Sequence, residues 1–392
     1  MSMPSEALTR RALRAAPAPA ADEWRATAAV TAIRRRARWH ARLSSDLIHL
    51  TRSEGRVAAS DRQVPRPAAA PDGTAQATRR HLAAFDAALS GDGVDGEDSV
   101  VPLESALIVA EERGGGPPPG HGPDTAAVRR RISMLVRVES PAGPLLLGAA
   151  GPDAGTVCAA QLLQVQADFA GSAAAGRPAA GWRDRPLLLA PPVAAAVVSG
   201  VAMALGSPGA ARLDGCRVLP DLTLVDEAPE VTAGRADDAG RPAEPLTLLH
   251  RGRVAVPPRD PGTGLVLGRA RWDHDSARLV GESPSGLRLT GGPAPGAATG
   301  RLELLRCVEG LRRYHLDGRL RVVCLARVPG EAGWFRVELT ARPLTLLRAV
   351  TGVCLPAVAT CAGDRVHTPA LLLPAAAALA DRERGEIDVR SV

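Results

Sequence analysis

Asp221-Leu222-Thr223-Leu224-Val225-Asp226-Glu227-Ala228-Pro229, then Asp237-Asp238-Ala239-Gly240-Arg241-Pro242, then Leu246-Thr247-Leu248-Leu249-His250-Arg251-Gly252-Arg253-Val254, form the run whose reading decides the fold of this chain. The first and third pieces are short apolar stretches bounded by turn formers, which is the pattern of strands. Between them lies a loop carrying glycine and proline. Its paired aspartates, beside a glycine turn, either bind a cation or a substrate amine, or cap their own backbone as an Asx turn. The residues alone leave both readings open.

Outward from this run the chain reads as strand-rich. Strands are expected at 186–190, 264–267, 302–309, 319–328, 334–342 and 369–373, with helices at 192–204 and 342–350. Upstream, a helix is expected from about 23 to 43. A hairpin follows over Asp46–Ser60, where alternating Leu47, His49 and Thr51 run into the Glu54-Gly55 turn. Residues 64–72 read as a Pro/Ala linker, and Thr78–Leu89 as an amphipathic helix with Leu82, Phe85 and Leu89 on one side. Ser90–Asp98 and Gly114–Gly122 read as loops. Two strands cross Arg131–Leu147 about the Pro141-Ala142-Gly143 turn, and Val157–Phe169 is a helix. The expected class is α+β. A disordered tail (1–22) precedes an N-terminal α/β domain (23–180) and a strand-rich C-terminal domain (181–380), and 381–392 reads as a second tail.

Composition bounds the chemistry. The 392 residues contain no lysine and no asparagine, so all 48 basic side chains are arginine. That usage is what a GC-rich genome produces. Without lysine there is no Walker-type phosphate loop, no Schiff base and no Ser-Lys nucleophile pair. Aromatic residues are 2% of the chain, too few for the stacking platforms that hold single-stranded nucleic acid. The net charge of +6 is modest for this length. The densest basic run, Arg34-Arg35-Arg36-Ala37-Arg38, reads as the solvated face of the expected first helix. A nucleic-acid or anionic-lipid patch and a partner contact are the alternatives.

The six cysteines (Cys158, Cys216, Cys307, Cys324, Cys354 and Cys361) show no Cys-x-x-Cys spacing and read as reduced thiols in a cytoplasmic protein. The N-terminal arginines are followed by Ala-Pro repeats, so no secretory signal is evident. Leu187–Gly206 carries no charge over about a bilayer's length. Pro191-Pro192 interrupts it, and a buried strand, a turn and a buried helix are the better reading than a membrane span. Gly262-Thr263-Gly264 and Gly268 have the wrong spacing for a dinucleotide fingerprint. No Gly-x-Ser-x-Gly elbow occurs.

The opening run resembles the signature of the TldD/PmbA family: a strand ending in "VDxP", a glycine-bearing loop, "DDEGxP" and "LxxGxV". Ala239 stands where the family has glutamate. The resemblance extends over about 130–375. Arg185-Pro186-Leu187-Leu188-Leu189-Ala190-Pro191 resembles the strand that enters the second domain. Asp275-Ser276-Ala277, in the run Asp273-His274-Asp275, resembles a "DxxTA" that follows a strand. Ser283-Pro284-Ser285-Gly286-Leu287-Arg288 resembles "STGxxRR", and Glu309-Gly310-Leu311 resembles "EGL". Active members carry His-Glu-x-x-x-His on the helix after Pro191, two imidazoles on adjacent turns with a carboxylate beside the bound water. Here that frame is Ser199-Gly200-Val201-Ala202-Met203-Ala204. Cys361, with His367 close behind, resembles the loop in which active members present a zinc-binding cysteine.

The resemblance implies the PmbA (TldE) type of subunit. In that reading this chain holds no catalytic residue and no metal, Cys361 and His367 are relics, and zinc resides in a TldD-like partner of a heterodimer. Asp237, Asp238, Arg241 and Arg288 would be the polar groups nearest an enclosed peptide chamber. Small or modified peptides, including natural-product precursors, would be the substrates, with no nucleic-acid or membrane partner. The alternatives are a self-sufficient hydrolase using a non-zinc site or a metal at Cys361/His367, and a homodimeric binding or scaffold protein without hydrolysis.

Overall fold

Strands, not a helix, occupy Glu23–Arg35 and Arg38–Ser53. The computed structural model describes residues 23–35, 38–53, 56–60, 83, 87, 101–115, 127–140, 143–150, 154–169, 178, 180–217, 221–227, 237, 243–261, 263–273, 278–281, 286–293, 300–314, 318–331, 333–361, 365–382 and 387–391. In it β1 (Glu23–Arg35) and β2 (Arg38–Ser53) pair antiparallel along their lengths, from Glu23 against Leu50 to Arg35 against Arg38. The helix expected over 23–43 is therefore corrected to two strands. The helical spacing of Val30, Ile33, Ala37 and Ala41 coexists with an alternation through Trp24, Ala26, Ala28, Val30 and Ala32, and tertiary pairing chooses between them. β1 is flanked on its other edge by β4 (Val101–Gly115), so its backbone groups find partners on both sides. The arginines read as a helix face are placed instead at the β1–β2 junction, with Arg36 and Ala37 outside the described residues.

The expected hairpin forms, with β3 (Arg56–Ser60) against β2 from His49–Ser60 to Ser53–Arg56. β4 (Val101–Gly115) pairs with β5 (Ala127–Glu139), and β5 with β6 (Leu145–Ala150), completing an antiparallel sheet of order β3-β2-β1-β4-β5-β6. Gly143 turns between the last two strands at φ 94°, with the Arg336 guanidinium against its α-carbon. Helix α1 (Ala154–Phe169) covers this sheet: Cys158, Leu162 and Val165 are buried with Met134, Val136, Val138, Leu145 and Leu147. The Gln161 amide accepts from Gly148 N at 3.2 Å and donates to Gly148 O at 3.1 Å, fixing the helix to β6. Of the helix expected at 78–89, only Ala83 and Ala87 are described, both helical and exposed. The 1–22 tail and the 64–72 linker lie outside the described residues.

The second sheet is built from β7 (Pro186–Leu189), β8 (Leu222–Asp226), β9 (Leu246–His250), β10 (Arg253–Val254), β13 (Gly286–Gly291), β14 (Leu302–Tyr314), β15 (Leu320–Arg327), β16 (Phe335–Ala341), β17 (Gly352–Cys361), β18 (Arg365–Ala375) and β19 (Ile387–Ser391). β11 (Ala270–Asp273) and β12 (Arg278–Gly281) form a separate hairpin. From one edge the order runs β10-β9-β8-β13-β18, then from the second half of β18 through β7 to β14, β15, β16 and β19. β17 lies along the opposite edge of β18. The β13–β18 and β7–β14 pairs are parallel. β6 meets β14 at Leu145–Val308, which joins the two sheets. The strand expected at 264–267 is corrected: Val266 makes only an isolated bridge to Arg259, because Gly264 and Gly268 both take left-handed φ of 70° and turn the chain.

The uncharged Leu187–Gly206 stretch is strand β7, a turn and the buried helix α2 (Pro191–Gly206). Prolines suit its first turn, where no N–H is required for the helix ladder. Residues Val193–Ala202 and Leu205 are buried, and the small Ala194, Ala195 and Ala196 let the helix backbone lie close to β18, β14 and β17. Each buried Val or Leu side chain contributes about 1.5–3 kcal/mol. Two short helices, α3 (Pro343–Arg348) and α4 (Ala376–Arg382), close this core.

Ile387–Ser391, read as part of a tail, is an integral strand. Ile387 and Val389 are buried, and β19 pairs with β16. Glu338 of β16, 2% exposed, accepts from Arg390 at 2.6 Å and from Arg321 of β15, tying three strands together. Burial raises the Glu338 pKa, but the hydrogen bonds and charges of Arg321 and Arg390 outweigh it. The net result is a carboxyl held below its ordinary range.

Candidate functional site

The signature run folds onto the free end of the second sheet. β8 pairs with β13, Leu224 against Leu289, and with β9, Leu224 against Leu249. Leu222, Leu224, Leu249, Leu287 and Leu289 thereby enter the main core. The "LxxGxV" portion is the β9–β10 hairpin: Arg251 at φ 47° and Gly252 at φ 73° are the two left-handed residues of a type I′ turn. Gly252 N donates to Leu222 O at 2.7 Å, which locks this turn onto the start of β8. The glycine is thus a folding requirement of the hairpin.

Asp226, at the end of β8, accepts from Arg269 Nε at 2.8 Å, and both side chains are under 5% exposed. The same guanidinium donates to Asp226 O at 3.2 Å, Glu244 O at 3.1 Å and Gly268 O at 3.0 Å. Asp237 is also buried and its Oδ2 accepts from Ala270 N at 2.9 Å, one residue beyond Arg269. Two signature aspartates therefore close over the Arg269–Ala270 segment. Nothing in its spacing singled out Arg269 among 48 arginines; the buried fork is visible only in three dimensions.

Arg288 is placed differently. It sits on β13 opposite Val225 and beside His367 of β18, and its Nε lies 2.5 Å from Glu227 Oε1 with both side chains more than 40% exposed. Glu227 N donates to Gly286 O at 2.7 Å, so the residue after the signature strand positions the partner of Arg288. The structure thus brings together Glu227, Arg288 and His367. Asp238 and Arg241 lie outside the described residues.

Cys361 ends β17 opposite Arg365, and His367 pairs with Ala359. The two register positions are two residues apart, about 7 Å along the strands. His367 is partly buried and its Nδ1 lies out of solvent without a hydrogen-bond partner. On α2, Ser199 is fully buried with an unpartnered Oγ, Gly200 is buried, Met203 is 46% exposed and Ala204 is partly exposed. This frame offers one core-facing hydroxyl and no imidazole, thiolate or carboxylate, so it does not fit a zinc ion. Among the described residues, no three His, Cys, Asp or Glu converge on one point that could hold a metal.

By sequence, the chain matches no protein-family model and no curated protein. By structure, it superposes on TldE from Thermococcus kodakarensis with a TM-score of 0.62, 14% identity, and coverage of 90% of this chain and 95% of that one. The chain has the TldE fold. Two further solved structures share that fold, both described as candidate modulators of DNA gyrase. The Thermotoga maritima protein gives a TM-score of 0.59 at 11% identity, covering 94% of this chain and 95% of its own. The Bacteroides thetaiotaomicron protein gives 0.59 at 10%, covering 95% and 94%. Coverage this complete in both directions means that the TldE fold accounts for both sheets and the helices packed on them. Among the described residues, no helix is long and apolar enough to cross a membrane.

Proposed function

We propose that this chain is the zinc-free subunit of a two-subunit TldD/TldE-type peptidase that trims small or modified peptides, including precursors of natural products. One observation carries the reading: the α2 frame Ser199-Gly200-Val201-Ala202-Met203-Ala204 sits in a TldE fold with its first position buried and no metal-binding side chain along it. Catalytic zinc and the activated water then belong to a TldD-like partner, in the cytoplasm. This chain completes the peptide chamber. In this reading Arg288, ion-paired with Glu227 yet half exposed, meets a peptide carboxylate, while Asp237 braces the Arg269 segment. The peptide backbone pairs along an open strand edge.

The test is co-expression with a homologue bearing His-Glu-x-x-x-His. The reading expects a stable complex whose peptide hydrolysis disappears when the partner's histidines are replaced, and an Arg288→Ala complex in which KM rises about tenfold while kcat holds, as for lost ground-state binding. Failure of the two chains to associate, or hydrolysis that survives loss of the partner's histidines, would sink it. A second reading, a self-sufficient hydrolase built on Cys361 and His367, draws on the buried, unpartnered Nδ1 of His367. It predicts peptide cleavage by this chain alone, abolished by Cys361→Ala.

A further inference from the structure

Two cysteines outside the candidate site face each other across adjacent strands. Cys307 of β14 and Cys324 of β15 are direct partners in the antiparallel register, and their thiols are in hydrogen-bonding contact. Opposed residues in such a pair have Cα atoms about 4.5–5.5 Å apart. A disulfide needs about 4.4–6.8 Å, a span that this register satisfies. Both side chains lie on the same face of the sheet. Cys324 is fully buried in the main core, and Cys307 packs against that core while remaining partly open to solvent.

The local ladder is irregular on both sides. One shift separates Leu304 from Arg306, and a larger one separates Cys307 from Arg312, so residues 308–311 bulge out of step with β15. A bulge leaves backbone unpaired and bends the strand. The cysteines are thus the last in-register pair before a break, with Cys307 only partly buried beside an irregular stretch of ladder. Among the described cysteines, Cys158, Cys216 and Cys354 have no such opposed partner in their registers.

We propose that Cys307 and Cys324 are a dithiol modification site that closes to a cross-strand disulfide on reaction with a low-molecular-weight disulfide. The Cys307 thiolate attacks one sulfur of the oxidant, forming a mixed disulfide and expelling one thiolate, which takes up a proton. Cys324 then loses its proton and attacks the Cys307 sulfur, expelling the second thiol. Two protein thiols and one oxidant disulfide become one protein disulfide and two small thiols. The contact with the Cys307 thiol, and burial after it, push the Cys324 pKa up and keep it protonated in the resting state, which fits its role as the resolving partner. The product staples β14 to β15 at the edge of the bulge and fixes a register that the reduced ladder leaves loose. This site is independent of the peptidase reading.

The experiment treats the folded full-length protein with oxidised glutathione, followed by blocking with iodoacetamide, intact-mass measurement and non-reducing peptide mapping. Expected is a linked peptide pair containing Cys307 and Cys324, reversed by dithiothreitol, while exposed Cys216 carries glutathione instead. The oxidised protein should melt at a higher temperature than the reduced one, and Cys324→Ser should leave Cys307 trapped as the glutathione adduct. Recovery of both cysteines alkylated, of wild-type Cys307 as a persistent glutathione adduct, or of either residue linked to a different cysteine would overturn the proposal.

Discussion

At Asp226 and Arg269 a charged pair is under 5% exposed, whereas Glu227 and Arg288, one residue along and one strand over, form a pair more than 40% exposed. The same chemistry in two environments predicts different energetics. Arg269→Leu strands a carboxylate in the core and is expected to lower unfolding stability by about 3–5 kcal/mol. Arg288→Ala removes a solvated pair worth about 0–1 kcal/mol. Urea titration of both variants checks this, and equal losses would contradict the placement. Gly252→Val forces a β-branched side chain into left-handed φ at a hairpin turn, and a loss of at least about 1–2 kcal/mol is expected in the same assay. Ser199→Ala runs the other way: it removes a buried hydroxyl with no partner and should leave stability unchanged or raise it by up to about 1 kcal/mol. At this scale the sequence flagged Asp237 and Arg288 but not Arg269. The partners of a buried guanidinium come from residues scattered over 226–268, which no local spacing encodes.

Strand β19 is held by the Arg321–Glu338–Arg390 cluster, which makes the C-terminal element sensitive to acid. Glu338 has its carboxyl pKa lowered in the folded protein. Its contribution is therefore full above the ordinary carboxylate range and is lost as pH falls through the folded pKa. The wild type should exceed Glu338→Gln in stability by about 1–3 kcal/mol at neutral pH, toward the lower end because both arginines are partly exposed. Denaturant titrations across the acid range should show that difference shrinking. A difference independent of pH would contradict the ion-pair assignment.

Elements with a strong local pattern, such as the Asp46–Ser60 hairpin, α1 and α2, were legible in advance. β1 and the first half of β2 were not, because an alanine-rich run satisfies helical and strand periodicity equally and the partner strand β4, far downstream, decides. β19 was missed for a related reason: five residues at a chain end carry little pattern of their own, and their burial depends wholly on β16. The 264–267 segment failed because its apolar residues lie between two left-handed glycines that force turns.

At the scale of the whole molecule, two sheets joined at β6–β14, with α2 buried in the second, give the TldE fold at 10–14% identity to solved structures of that fold. Identity that low leaves chemistry to be decided by particular side chains. The proposal turns on α2, where Ser199 is buried, Gly200 is buried and Ala204 is partly exposed, with no imidazole, thiolate or carboxylate among Ser199–Ala204. The central claim is that this chain supplies architecture and its partner supplies zinc. The most direct test measures bound zinc and peptide hydrolysis on the chain purified alone, beside the co-purified complex. Bound zinc well below one ion per chain and no cleavage by the chain alone, with both restored in the complex, is the predicted result. Stoichiometric zinc and peptide cleavage by the chain on its own would contradict it.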